Sequence, residues 1–80
     1  MIYEYDKETD GLYIWFVKDI EKEKEKYENE VWPSELKNEI GLLFDTNSKL
    51  MGLEVQPASK YFNDDFLNVI KKETNDSRTI

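Results

Sequence analysis

Carboxylates, hydroxyls and lysines are the reactive side chains this sequence offers, because it contains no histidine and no cysteine. Asp6 and Asp10 bracket a polar turn. Two carboxylates so placed can ligate a hard cation such as Ca²⁺ or Mg²⁺, or stand as the acid and base of a glycosidase. They also cap turns by accepting backbone N–H bonds. Glu54 sits between Leu53 and Val55, on the strand face that carries Gly52. With Gly41 nearby, the glycines leave room for a shallow space beside it. Such a carboxylate either binds a cation or a partner's Arg or Lys, or is satisfied locally by hydrogen bonds or a Lys. Ser34, Ser48, Ser59 and Ser77 have no imidazole to activate them, and adjacent residues such as Ser59 and Lys60 seldom point together. No phosphate loop or dinucleotide fingerprint occurs. No residue is therefore assigned a catalytic, cofactor-binding or metal-binding role, and no cofactor is expected.

The aromatic residues are the other distinctive group. Tyr3, Tyr5, Tyr13 and Trp15 are candidates to line one face of two neighbouring strands. Exposed, that surface is a binding or dimer patch; covered, it is a second core layer. With Glu54 they are the candidate interaction residues.

These side chains have to be placed by a row of short strands and one helix. Ile2 to Tyr5 reads as a first strand, with Tyr3 and Tyr5 on one side. Asp6 to Gly11 reads as a turn or a short helical turn. Leu12 to Val17 is apolar on both faces, which suits the middle of a sheet covered twice. Asp19 to Glu30 carries alternating Glu and Lys. The three-residue and four-residue charge pairings of a helix there largely cancel, and a solvated hairpin arm leading into a strand at about 26–32 is favoured. Pro33 ends it. Ile40 to Asp45 and Leu50 to Gln56 form the clearest hairpin, around Thr46-Asn47-Ser48-Lys49. Met51, Leu53 and Val55 are expected on one face of its second strand. Asn63 or Asp64 caps a helix running to about Lys72, with Phe66, Leu67, Val69 and Ile70 as its apolar stripe. Residues 73–80 read as a frayed polar tail.

Eighty residues suit one domain, here 1–72. Eleven basic against 18 acidic residues give a formal charge of −7. That surface repels phosphate, which argues against nucleic acid as a partner. It attracts basic proteins or cations, and it also keeps a small domain dispersed. No apolar run approaches the roughly 20 residues that span a bilayer, and the Met1-Ile-Tyr-Glu start lacks a secretory pattern. No membrane partner and a cytoplasmic location are the resulting expectations.

Three runs resemble the domain-of-unknown-function family DUF2283. Tyr5-Asp6-Lys7-Glu8-Thr9-Asp10-Gly11-Leu12-Tyr13-Ile14 is similar to its opening of Tyr-Asp, a polar turn with a second Asp, and a Leu-Tyr-Ile strand. Ile40-Gly41-Leu42-Leu43-Phe44-Asp45 resembles its strand ending in Asp. Leu50-Met51-Gly52-Leu53-Glu54-Val55, with Ala58-Ser59 beyond, resembles its Gly-Ile-Glu strand. The resemblance implies a meander-like antiparallel sheet and no catalytic residues. It also implies an antitoxin role for some relatives.

The expected fold is α+β, a small antiparallel sheet of about five strands in a meander with one C-terminal helix. The expected function is a non-enzymatic protein-interaction module that self-associates. The alternative is an antitoxin-like or regulatory binder of a small basic protein. A third reading, weak divalent-cation binding or enzymatic activity, would use Asp6, Asp10 and Glu54.

Overall fold

Alternation of apolar and polar residues resolves into five strands of one antiparallel sheet, which the computed structural model describes within residues 2–77. β1 (Ile2–Asp6) and β2 (Gly11–Trp15) form a hairpin. β3 (Tyr27–Val31), β4 (Ile40–Asp45) and β5 (Leu50–Val55) form a three-strand meander. β5 then pairs with β2, giving the order β1-β2-β5-β4-β3. The α+β sheet expected from the sequence is present, with its last helix C-terminal. The central strand is β5. β2 lies one place off-centre, still with a neighbour on each side, as its two apolar faces require.

The connection from β2 to β3 carries the Glu/Lys run. It is helical rather than a hairpin arm: α1 (Ile20–Glu23) continues into a 3-10 turn at Lys24–Lys26. The cause is local. Asp19 is extended, and its carboxylate accepts the backbone N–H groups of Glu21 at 3.1 Å and Lys22 at 3.4 Å. Ile20 is buried beside Trp15, Leu43 and Met51, a gain on the order of 2 kcal/mol. That exceeds the few tenths by which exposed like charges disfavour a helix. Glu23 and Lys26 pair at 3.1 Å, three residues apart.

After β5 the Gln56–Pro57 bond is cis, and a short α2 (Ala58–Tyr61) precedes α3 (Asp64–Ser77). Asn63 caps α3 by accepting the Phe66 N–H at 2.9 Å. The backbone stays helical past Lys72 to Ser77; of the tail expected over 73–80, residues 78–80 lie outside the described residues.

Each side of the sheet buries its own cluster. Under α2 and α3 lie Tyr5, Leu12, Ile14, Val55, Ala58, Leu67 and Ile70. On the side of α1 lie Trp15, Ile20, Leu43 and Met51. Met51 belongs to the second cluster because the ladder slips there. Leu43 faces Gly52 but Phe44 faces Leu50, so the extra residue leaves the side expected for it, that of Leu53 and Val55.

Candidate interaction site

Strand register separates the five candidate residues into two groups. Tyr3 pairs with Ile14 and Tyr5 with Leu12, whereas Glu4 pairs with Tyr13 and Ile2 with Trp15. Tyr3 and Tyr5 therefore share the α3 side with Leu12 and Ile14, and do not join Tyr13 and Trp15. A single aromatic face of four residues does not form, because directly opposed residues of antiparallel strands point to the same side. Tyr3 meets Phe66 of α3 edge-on, with ring centroids 6.2 Å apart. Tyr5 is buried.

Tyr13, Trp15 and Glu54 do come together on the α1 side. Tyr13 and Trp15 stack at 5.5 Å with ring planes 3° apart. Trp15 is only 4% exposed, its indole donates to Glu4 at 3.1 Å, and Tyr27 packs edge-on against it. Trp15 is thus core, and the surface part of this side begins at Tyr13. The Tyr13 hydroxyl donates to Glu54, its cross-strand neighbour. Burial, then the nearby Glu54 carboxylate, push the Tyr13 hydroxyl up to about 12. Burial raises the Glu54 carboxyl, and the Glu30 charge adds to that, against the hydrogen bond from Tyr13. The space expected beside Gly41 is filled by Trp32. A Cβ at Gly41 would lie 2.7–2.9 Å from the indole ring.

Every charged residue in the five strands is acidic: Glu4, Asp6, Glu28, Glu30, Asp45 and Glu54. Glu30 opposes Leu43, which lies in the α1-side cluster, and Glu54 opposes Gly41 and Tyr13. With Glu4 and Asp6 alternating onto the same side, this side is consistently negative. Glu4, Asp6, Thr9, Gly11, Tyr13, Glu54 and Gln56 line a cavity of about 250 Å³ there.

Asp10 lies elsewhere. With φ of 56° it turns toward the β5–α2 junction. There it accepts the Tyr5 hydroxyl at 2.6 Å, the Ser59 N–H at 3.1 Å and the Ser59 hydroxyl. Its own carbonyl accepts the Ala58 N–H at 2.8 Å. The nearby Gln56 amide donates to the Thr9 carbonyl at 3.1 Å. Burial alone would raise the Asp10 carboxyl. The bonds from Ser59 and Tyr5, with the Lys71 charge, outweigh it and hold the group below its ordinary value. Asp6 accepts the Glu8 N–H at 3.0 Å. Asp6 and Glu54 line one cavity while Asp10 is held at Ser59 and Tyr5, so the three do not converge, and among the described residues no three acidic side chains are grouped to hold a metal ion.

The α3 side is largely apolar, with Glu28 and Asp45 lining a cavity together with Asn29, Val31 and Phe44 at its β3–β4 end. Leu53 opposes Ile14, Leu42 opposes Leu53 and Val31 opposes Leu42, while Phe44 opposes Leu50. Phe16, two residues beyond Ile14, donates its N–H to the Met51 carbonyl. α3 packs principally over β1, so this half of the face is left open. Phe16, Val31 and Leu50 are 42%, 44% and 46% exposed.

A family model described as a protein of unknown function, DUF2283, matches residues 2–59. The chain belongs to the DUF2283 family. No curated protein and no solved structure matches it. The matched segment of this DUF2283 chain contains all five strands and ends at Ser59, the residue held by Asp10; α3 lies beyond it. Sequence reasoning missed the open apolar half-face of this DUF2283 protein. The alternation of Ile40, Leu42 and Phe44 marked the face itself, but how far α3 reaches across it depends on packing. Among the described residues no helix is long and apolar enough to cross a membrane.

Proposed function

We propose that this DUF2283 chain is a non-enzymatic protein-interaction module that self-associates. The observation that carries this reading is the half of the sheet opposite its acidic side, which is largely apolar and open to solvent, with Glu28 and Asp45 beside Val31 and Phe44 at its β3–β4 end. Contiguous apolar surface on a small, highly charged domain marks an interaction site more often than an idle surface. Light scattering on the eluting peak of a sizing column, at high micromolar concentration, tests it. Twice the chain mass is expected; a strict monomer would overturn it.

A second reading is favoured by a separate observation, the acid-lined cavity beside Tyr13 and Glu54. Carboxylates around a tyrosine suit the ammonium or guanidinium group of a basic protein segment, through charge and ring contact. On that reading the protein is a regulatory, antitoxin-like binder of a small basic partner. The two readings use opposite sides of the sheet and respond to salt with opposite sign.

A further inference from the structure

We infer that the groove at the β3–β4 end of the sheet docks a basic segment of another protein, taking one long basic side chain with its methylenes on Val31 and Phe44 and its cation on Glu28 and Asp45. This rests on the reading of the chain as a binder of basic partners and gives that reading a second surface. The groove measures about 560 Å³, and Thr46 and Ser48 line it beside those four residues. A bulge in β3 shapes it. Tyr27 pairs with Asp45 and Asn29 with Phe44, so Glu28 is an extra residue between two successive rungs. In a regular strand Glu28 would point away from the side that holds Asn29. The bulge re-aims it, and Glu28 lines the groove together with Asn29 and Val31.

Both carboxylates await a counter-charge. Glu28 is exposed and has no hydrogen bond or ion pair among the described residues. Asp45 is fixed at the rim because its Oδ1 accepts the Asn47 and Lys49 N–H groups; among the described residues its other oxygen accepts none. Lys26 adjoins the groove, since its carbonyl accepts the Thr46 N–H at 2.8 Å, but its ammonium pairs with Glu23 at 3.1 Å. Among the described residues no lysine lines the groove. An apolar floor under an acidic rim matches lysine and arginine, which carry a cation on an aliphatic stem. The Thr46 and Ser48 hydroxyls add acceptors for the remaining N–H groups. Val31 and Leu50, 44% and 46% exposed, carry the floor further, Leu50 lying opposite Phe44. An apolar residue flanking the basic one is covered there, which selects a protein segment over a free polyamine. Nucleic acid or anionic lipid would set phosphate against carboxylate. A second copy centred on this end would bring the Glu28 and Asp45 of both chains together, between molecules that each carry −7.

The test titrates the 80-residue chain with a short peptide of alternating leucine and lysine and follows the backbone amide resonances. Shifts are expected at Glu28, Asn29, Val31, Phe44 and Thr46. Glu28→Gln should weaken binding about threefold, the worth of one exposed ion pair. Glu28→Lys should weaken it about tenfold or more, since like charges then meet. Glu28 is exposed and outside the regular ladder, so both variants keep the fold. A peptide with serine in place of leucine, and spermidine, should each bind more weakly than the leucine peptide. Glu8→Gln removes the same charge from the turn between β1 and β2, at the far edge of the sheet, and should leave the affinity unchanged. No binding overturns both the basic-partner reading and this assignment. Binding whose shifts gather at Tyr13 and Glu54 instead, or which Glu8→Gln and Glu28→Gln weaken equally, overturns the assignment alone. So does a serine peptide or spermidine that binds as tightly as the leucine peptide.

Discussion

Asp10 joins parts of the chain that are 49 residues apart. Its carboxylate takes two bonds from Ser59 and one from Tyr5, so the first turn is fastened to the start of α2. Hydrogen bonds to a charged group are worth about 1.5–3 kcal/mol each. Asp10→Asn is therefore expected to destabilise the fold by about 2 kcal/mol near neutral pH. The pH dependence follows from the lowered carboxyl. The unfolded chain, with the ordinary value of 3.8, binds this proton more readily than the folded one. The carboxylate thus contributes stability above about pH 4 that is lost as pH falls through the folded value. Urea midpoints of wild type and Asp10→Asn should differ fully at neutral pH and converge in acid; a constant gap would contradict the assignment. The sequence marked Asp10 as a turn carboxylate. Its partner Ser59 was hidden, because only the return of β5 beside β2 brings them together. Trp32 over Gly41 was hidden in the same way: the glycine signalled space, and nothing local named the ring that fills it.

At the level of elements, α1 shows where charge patterning misleads. The Glu/Lys run has little helical or strand preference of its own, so two features outside its repeat decide its state. These are the Asp19 cap and the buried Ile20. Asp19→Ala should cost about 1 kcal/mol and loosen the cover over Trp15. The near-ultraviolet circular dichroism of the stacked Tyr13–Trp15 pair should weaken with it. An unchanged near-ultraviolet spectrum would show that α1 does not hold that cluster. The two strands and the turn of the hairpin β4–β5 were legible because the turn chemistry is local: Asp45 accepts the N–H groups of Asn47 at 2.8 Å and Lys49 at 3.0 Å. The bulge at Met51 was not, since one extra residue leaves the alternation looking intact on either side of it.

For the molecule as a whole, the distribution of charge matters more than its total. Composition gave the −7 but not its placement, which needed the register of all five strands. Copies of like charge repel, so raising salt from about 0.02 to about 0.3 M should tighten self-association, as the screening length shortens severalfold. A complex with a basic segment on the acidic side should loosen over the same range. Sedimentation of the protein alone, and titration with a lysine-rich peptide, read the two signs separately. Affinity for the peptide that ignores salt would remove the acidic side as its site.

The segregation of charge also bears on valency. A pair of copies joined through the side away from the Tyr13–Glu54 cavity would turn those two acid-lined cavities outward, in opposite directions. Such a pair could hold two basic groups at once, on separate partners or along one flexible chain long enough to wrap around it. In the second case, capture of the first group raises the effective concentration of the other, and weak single contacts add up to firm retention. The twofold symmetry of the pair would then set the spacing that a partner has to match.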